Sequence, residues 1–132
     1  MAHWSAGGNM KFLICVMDSS HFDQVLDNVK PLMNEEDSLI ILNIASYDMY
    51  YLNKTEEEES LAYLYNSAIS LGANVKVIRT NDLYATLVNF IESTDVTDIF
   101  IEDRREFRIL HGLEEYVKEN EERKIRCTFL KL

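Results

Sequence analysis

Apolar residues occur along the chain in short continuous runs that alternate with segments of helical periodicity. Phe12–Met17 is one continuous run, and Leu39–Ile44 is another, interrupted only by Asn43. Runs of this length are typical of strands covered on both faces of a parallel sheet. We therefore predict a first strand over Lys11–Asp18 and a second over Leu39–Ile44. Between them, apolar residues recur three or four positions apart up to Met33, which predicts a helix.

Capping residues predict where the first two helices begin and end. Ser19 or Ser20 can cap the first helix. Thr55 and Glu58 have the spacing of a capping box, so the second helix is predicted to begin there. Gly72 is placed to end it in a left-handed conformation. The apolar stripe predicted for this helix consists of Leu61, Leu64, Tyr65 and Ala68.

The second half of the chain continues the same alternation. Val75, Val77 and Ile78 predict a third strand, and Val96–Ile101 predicts a fourth. The third helix, capped by Asn81 or Asp82, has its apolar face at Leu83, Leu87, Phe90 and Ile91. The last helix is predicted from Ile109, Leu113, Tyr116 and Val117. Lys124–Leu132 alternates in polarity, which predicts a half-exposed fifth strand.

Five strands alternating with four helices predict an α/β fold with a doubly wound parallel sheet and helices on both faces. At 132 residues the chain fits one domain. We expect that domain to span residues 10–132. Met1–Asn9, with its Ser-Ala-Gly-Gly-Asn run, has the composition of a leader or a disordered start.

Charge and apolar run length narrow the classes of partner. Thirteen basic against 23 acidic side chains give a net charge of −10, which repels nucleic acids and anionic membrane surfaces. No apolar run approaches the length of a membrane span, and we expect a cytoplasmic protein. Cys15 and Cys127 lack the short spacing of metal or redox pairs, which favours core thiols.

The segment Met10-Lys-Phe-Leu-Ile-Cys-Val-Met-Asp18-Ser-Ser resembles the opening strand of universal stress proteins, which typically ends in Asp-x-Ser. The second strand, the long connection after it, the Leu-Gly-Ala-Asn-Val segment at residues 71–75 and the fourth strand then follow in the order of that family. The resemblance implies a Rossmann-like, nucleotide-binding fold with strand order 3-2-1-4-5. It also implies a homodimer and, in one subgroup, a bound ATP.

In the ATP-binding subgroup, adenine lies near the first-strand aspartate and the end of the second strand, positions that map onto Asp18 and Ile44. The phosphates of that subgroup lie on a glycine-rich motif that begins where the fourth strand ends. Here Glu102-Asp-Arg-Arg-Glu-Phe-Arg108 occupies that place. Glycine lets backbone amides approach a phosphate closely, whereas two acids repel it. The resemblance thus favours the subgroup without the ATP motif, with no cofactor beyond weak adenine-nucleotide binding.

Two polar features near the expected site have alternative interpretations. Asp18 can accept a hydrogen bond from a nucleotide or can cap the first helix. Arg104, Arg105 and Arg108, half of the chain's six arginines, can bind an anionic ligand through their guanidinium groups. The alternative for the arginines is that they pair with Glu102, Asp103, Glu106 and the acids of the last helix.

Aromatic residues and an edge strand suggest further contacts. Tyr47, Tyr50 and Tyr51 can either cover a pocket or shield the end of the sheet. The last strand, Ile125–Leu132, offers an edge for a homodimer, and Lys124, Arg126 and Lys131 can instead guard that edge in a monomer. His21 and His111 are not accompanied in the sequence by the other ligand residues that a metal site needs, so no metal site is predicted.

Three functions follow, in order of preference. The first is a binding or regulatory protein like the universal stress proteins, not an enzyme, with a protein partner or a small anionic ligand. The second is a nucleotide-binding protein or enzyme that uses Asp18 and the arginines in place of the glycine motif. The third is a receiver-like signalling domain, for which Asp82 and Lys124 are poorly placed in the sequence.

Overall fold

The computed structural model describes residues 9–48 and 52–132. Within them, five strands form one parallel sheet in the order β3-β2-β1-β4-β5. The strands are β1 Lys11–Val16, β2 Ser38–Ser46, β3 Asn74–Thr80, β4 Asp98–Glu102 and β5 Arg126–Leu130. The predicted fold and strand order are confirmed. No helix in these two ranges is long and apolar enough to cross a membrane.

Four α-helices and one long 3₁₀ helix connect the strands. They are α1 Phe22–Val29, α2 Lys54–Leu71, α3 Leu83–Ser93, the 3₁₀ helix Arg105–Gly112 and α4 Leu113–Glu119. Short 3₁₀ turns follow α1 and α4 at Lys30–Leu32 and Glu121–Arg123.

Alternate residues of the central strands point into two separate cores. Phe12, Ile14 and Val16 of β1 pack with α1 and α2 on one face of the sheet. Leu13 and Cys15 pack on the other face with α3, the 3₁₀ helix and α4. A parallel sheet covered on both faces requires this arrangement, which explains the continuous apolar run of β1.

Both cysteines lie within or against the core, as predicted. Burial raises the pKa of the Cys15 thiol far above its ordinary value, with a smaller contribution from Cys127. Burial, and secondarily the charge of Glu114, raises the pKa of Cys127 to about 12. Both side chains are therefore thiols rather than thiolates at neutral pH.

Asn43, which interrupts the second apolar run, is buried, and both ends of its side-chain amide make hydrogen bonds that link neighbouring strands. Its Nδ2 donates to the Met17 carbonyl over 2.9 Å, and its Oδ1 accepts from Arg79 Nη2 over 2.8 Å. Arg79 also donates to Glu57 on α2 over 3.1 Å. The carboxyl ends of β1, β2 and β3 are thereby tied together and to α2.

The observed caps differ from the predicted ones in two helices. α2 begins two residues earlier than predicted, in a capping box in which Asn53 and Glu56 exchange hydrogen bonds, so the predicted Thr55 and Glu58 pair is wrong. His21 is the N-cap of α1 and its side chain makes no capping hydrogen bond, whereas Asp82 caps α3 as predicted. Gly72 ends α2 in the left-handed conformation, with φ of 66°.

Two predicted apolar stripes need correction. On α2, Tyr65 is exposed, and the buried positions are Ser60, Leu64 and Ala68. After β4, Ile109 is 60% exposed, so its assignment to the buried face of a helix is wrong. The reason is that the chain there forms a 3₁₀ helix, in which residues three apart eclipse one another.

Three-residue periodicity sorts the 3₁₀ helix into three rows. Phe107 and Leu110, continued by Leu113 of α4, form a fully buried row. Arg105, Arg108 and His111 form an exposed row, called here the basic row. Glu106, Ile109 and Gly112 form the third row. At Gly112 an added Cβ would lie 3.1 Å from the Tyr84 ring, so this row passes close to α3.

Paired truncations in the 3₁₀ helix test this assignment. We expect Leu110→Ala to lower the free energy of unfolding by about 2–5 kcal/mol because it opens a cavity in the core. Ile109→Ala, one residue away, should change it by only about 0.5 kcal/mol or less because its side chain is largely in solvent. Urea denaturation of both variants measures the difference. Equal losses would contradict the three-residue assignment.

Candidate functional site

The site is built at the carboxyl ends of β1 and β4, where the chain direction of the doubly wound sheet switches. β1 ends at Val16, two residues earlier than predicted, and Asp18 lies in the turn before α1. The Asp18 carboxylate accepts hydrogen bonds from the backbone N–H and the hydroxyl of Ser20, at 2.9 and 2.5 Å. Asp18 thus closes a local side-chain turn rather than capping α1 directly.

Arg104 joins three carboxylates across this switch. Its Nη1 lies 3.5 Å from Asp18 Oδ2 and 3.5 Å from Glu102 Oε1, and its Nε donates to Glu106 Oε1 over 3.1 Å. The side chains of Asp18 and Glu102 are almost completely buried, and that of Arg104 is 17% exposed. We call these four residues the Arg104 cluster.

Glu102 has a second partner that sequence reasoning missed. Its Oε2 lies 2.5 Å from Nδ1 of His21, the half-exposed residue at the start of α1. In the part of the chain that the structure describes, Glu102 Oε1 accepts no hydrogen bond, and its contact with Arg104 is one of charge alone. His21 and Glu102 are 81 positions apart, and no signal in the sequence links them.

The remaining predicted site residues lie in different places. Ile44 is completely buried in the core beside α3, so its side chain supports the sheet beneath the switch. Arg105 and Arg108 are exposed, and across the described ranges no carboxylate oxygen lies within 4.0 Å of either guanidinium. The expected pairing of all three arginines with nearby acids is therefore correct for Arg104 and wrong for Arg105 and Arg108.

Two clefts flank the basic row. The larger, of about 980 Å³, opens between the 3₁₀ helix and the carboxyl ends of β2 and β3. Its lining residues are Ser46, Asp48, Asn81, Asp82, Leu83, Arg104, Arg105, Glu106, Arg108 and Ile109. The smaller, of about 250 Å³, is lined by Asp103, Arg104, Arg105, Arg108, His111 and Lys131. Arg105 and Arg108 thus stand on the ridge between two clefts.

His111 anchors the far end of the basic row to the last strand. Its Nε2 lies 2.9 Å from Asp103 Oδ1, and its ring centroid is 4.3 Å from that of Phe129. Among residues 9–48 and 52–132, no group of three or more potential ligand side chains is placed to hold a metal ion.

Two other predicted features can now be located. Tyr47 is 61% exposed after β2, whereas Tyr50 and Tyr51 lie outside the described residues.

The receiver-like alternative depends on Asp82 and Lys124. Asp82 caps α3 by accepting from the Ala85 N–H over 3.0 Å, and Lys124 lies before β5 with φ of 57°.

Replacing Arg104 with Met tests whether the Arg104 cluster depends on this one cation. We expect the free energy of unfolding at pH 7 to fall by about 3 kcal/mol, because two buried carboxylates lose their guanidinium. Arg105→Met, an equal change at an exposed position, should have little effect. Adding Glu102→Gln to the Arg104 variant should recover part of the loss. Urea denaturation measures all four proteins, and equal losses for Arg104→Met and Arg105→Met would contradict the assignment.

We also expect the contribution of Arg104 to stability to depend on pH. The hydrogen bond from Arg104, followed by one from the backbone N–H of Glu106 and by smaller charge effects, holds the pKa of Glu106 below its ordinary value. A carboxyl of this kind stabilises the fold above its unfolded-state pKa and loses that contribution as pH falls through its folded pKa. The stability difference between wild type and Arg104→Met should therefore shrink as pH falls below about 4.

Comparison with known proteins gives a structural likeness and no sequence match. No family model matches the chain, and no curated protein matches its sequence. Among solved structures, the chain is similar to a universal stress protein from Archaeoglobus fulgidus, with a TM-score of 0.54 and 13% identity. The likeness covers 98% of this chain and 100% of that chain. At this identity it shows that the two chains share a fold.

Proposed function

We propose that this chain is a binding or regulatory protein of the universal stress protein type that does not bind ATP tightly. One observation carries the proposal. The side chain of Arg104 lies across the carboxyl ends of β1 and β4 and contacts both Asp18 and Glu102. In the resembled ATP-binding subgroup, this switch region receives the nucleotide.

The electrostatics of the switch support weak nucleotide binding. Asp18, Glu102 and Glu106 place three carboxylates against one guanidinium, so the Arg104 cluster has a net negative formal charge when its acids are ionised. A triphosphate placed there would meet this charge and would have to displace Arg104 from its partners. Each step opposes binding.

The backbone after β4 also lacks the geometry of a phosphate cradle. Within the described residues, positive φ occurs at Gly72 and Lys124 and nowhere between β4 and α4. Asp103 N–H, the first after β4, already donates to the Leu130 carbonyl over 2.8 Å. Anion-binding concavities need successive amides that point at the ligand, often with residues of positive φ.

The enzyme alternative requires Arg104, Arg105 and Arg108 to surround Asp18. Of the three, Arg104 forms an ion pair with Asp18, while the other two stand on the ridge between the clefts. This placement favours a binding role over a nucleotide-processing role at Asp18.

Isothermal titration of the full chain with ATP tests the proposal. We expect a dissociation constant weaker than about 100 μM because binding would displace Arg104 and face three carboxylates. AMP serves as the control for the adenosine moiety alone. A sub-micromolar affinity for ATP, or steady hydrolysis that depends on Asp18, would overturn the proposal.

The proposal includes a homodimer formed through β5. This strand pairs with β4 on one side and is an edge of the sheet on the other. Arg126 N–H donates to Thr97 O, and Leu130 O accepts from Asp103 N–H, so even-numbered residues of β5 bond towards β4. The backbone groups of Cys127 and Phe129 then point to the open edge, where a second copy can pair.

Amide hydrogen exchange at several protein concentrations tests the dimer. We expect the Cys127 and Phe129 amides to gain protection as concentration rises, because a partner strand would bond to them. The Thr128 amide, which faces β4, is the internal control and should be protected throughout. Sedimentation equilibrium gives the mass. Fast exchange at Cys127 and Phe129 with a monomer mass at all concentrations would contradict the dimer.

A further inference from the structure

The basic row places two guanidinium groups side by side on one edge of the 3₁₀ helix. Arg105 and Arg108 are three residues apart, and side chains with that spacing eclipse in a 3₁₀ helix. Both are exposed, and none of the described acids lies within ion-pair distance of either. Two like charges held side by side, with neither in an ion pair, repel each other, and an anion placed between them relieves that repulsion.

This local positive charge contrasts with the rest of the chain. The net charge is −10, whereas a third cation, Lys131, lines the smaller cleft together with Arg105 and Arg108. Adjacent guanidinium groups bind a phosphate group through several parallel N–H donors, which a single ammonium group cannot offer. The ridge therefore has the chemistry of a phosphate site.

The larger cleft begins at this phosphate site and has a polar far wall. Asp48 and Asn81, both exposed, stand opposite the arginines at the ends of β2 and β3. Their carboxylate and amide oxygens accept hydrogen bonds from hydroxyl groups. The volume of this cleft, about 980 Å³, suits a small molecule.

We infer that this cleft binds a phosphorylated polyol of the sugar phosphate class. The phosphate group lies on Arg105 and Arg108, and the hydroxyl-bearing body extends towards Asp48 and Asn81. This site goes beyond the proposed function, because its two anchoring arginines lie outside the Arg104 cluster. Weak ATP binding at the switch neither requires nor excludes it.

The first test compares four probes by isothermal titration on the full chain. Ribose 5-phosphate and glucose 6-phosphate should bind at least about tenfold more tightly than inorganic phosphate, and glucose should not bind. Equal affinities for sugar phosphate and inorganic phosphate would overturn the polyol assignment. The absence of heat for both sugar phosphates up to about 10 mM, the weak end of specific binding, would overturn the site itself.

The second test uses variants with matched changes in charge. Arg105→Ala with Arg108→Ala should weaken sugar phosphate binding at least about tenfold, because a charge-assisted pair is lost. Lys76→Ala with Lys118→Ala removes the same net charge at exposed positions outside both clefts and should change affinity by less than about twofold. Equal losses in the two double variants would show a general charge effect and contradict the site.

The third test distinguishes recognition of the phosphate group from recognition of the hydroxyl-bearing body of the ligand. Asp48→Ala removes the side chain that accepts from the ligand hydroxyl groups, so it should weaken binding of glucose 6-phosphate without weakening binding of inorganic phosphate. Circular dichroism spectra of all variants confirm that each one folds. If Asp48→Ala leaves the affinity for both sugar phosphates unaltered, the polyol end of the proposal is wrong. Tight ATP binding that survives loss of both arginines would instead count against the proposed function alone.

Discussion

Neutralisation of buried carboxylates at the switch between β1 and β4 is the constraint on which the site depends. Glu102 ends the fourth strand inside the protein, and Asp18 follows the first strand at nearly the same depth. Two such charges side by side are costly unless a cation and hydrogen bonds compensate them. Arg104 lies against both, and His21 contacts Glu102 from the other side. The residue that would otherwise be free to bind an anion is thus committed to holding the strand ends together.

The sequence was sufficient for the fold because burial on both faces leaves a strong pattern. Continuous apolar runs such as Phe12–Met17 can hardly be placed except in central parallel strands, and alternation in the last strand marked an edge. Strand order itself came from the resemblance to a family, and the strand pairing confirms it. Local capping was less predictable. Asn53 and Thr55 are both good N-caps, and which one is used depends on how far the preceding connection extends.

The site was harder to predict than the fold for two physical reasons. The segment after β4 winds with three residues per turn, so an apolar stripe sought with a 3.6-residue period wrongly included Ile109 and missed the Phe107 and Leu110 row. Ion pairing depends on the direction of each side chain around that helix. Arg104, Arg105 and Arg108 are close in sequence, but only Arg104 precedes the first helical turn and points back to the strand ends. The amino-acid composition of the segment cannot show which of the three arginines forms ion pairs.

The Asn43 link has a consequence for how the two walls of the large cleft respond to an occupant. Asn43 and Arg79 bind β1, β2, β3 and α2 into one hydrogen-bonded unit, so the wall at the ends of β2 and β3 is braced from beneath. The opposite wall is a 3₁₀ helix, whose hydrogen-bond geometry is poorer than that of an α-helix. When molecules of different shape bind in the cleft, we therefore expect the 3₁₀ helix to move and the opposite wall to stay in place. Because that helix contacts β5 through His111 and Phe129, its movement would reach the open edge of the sheet.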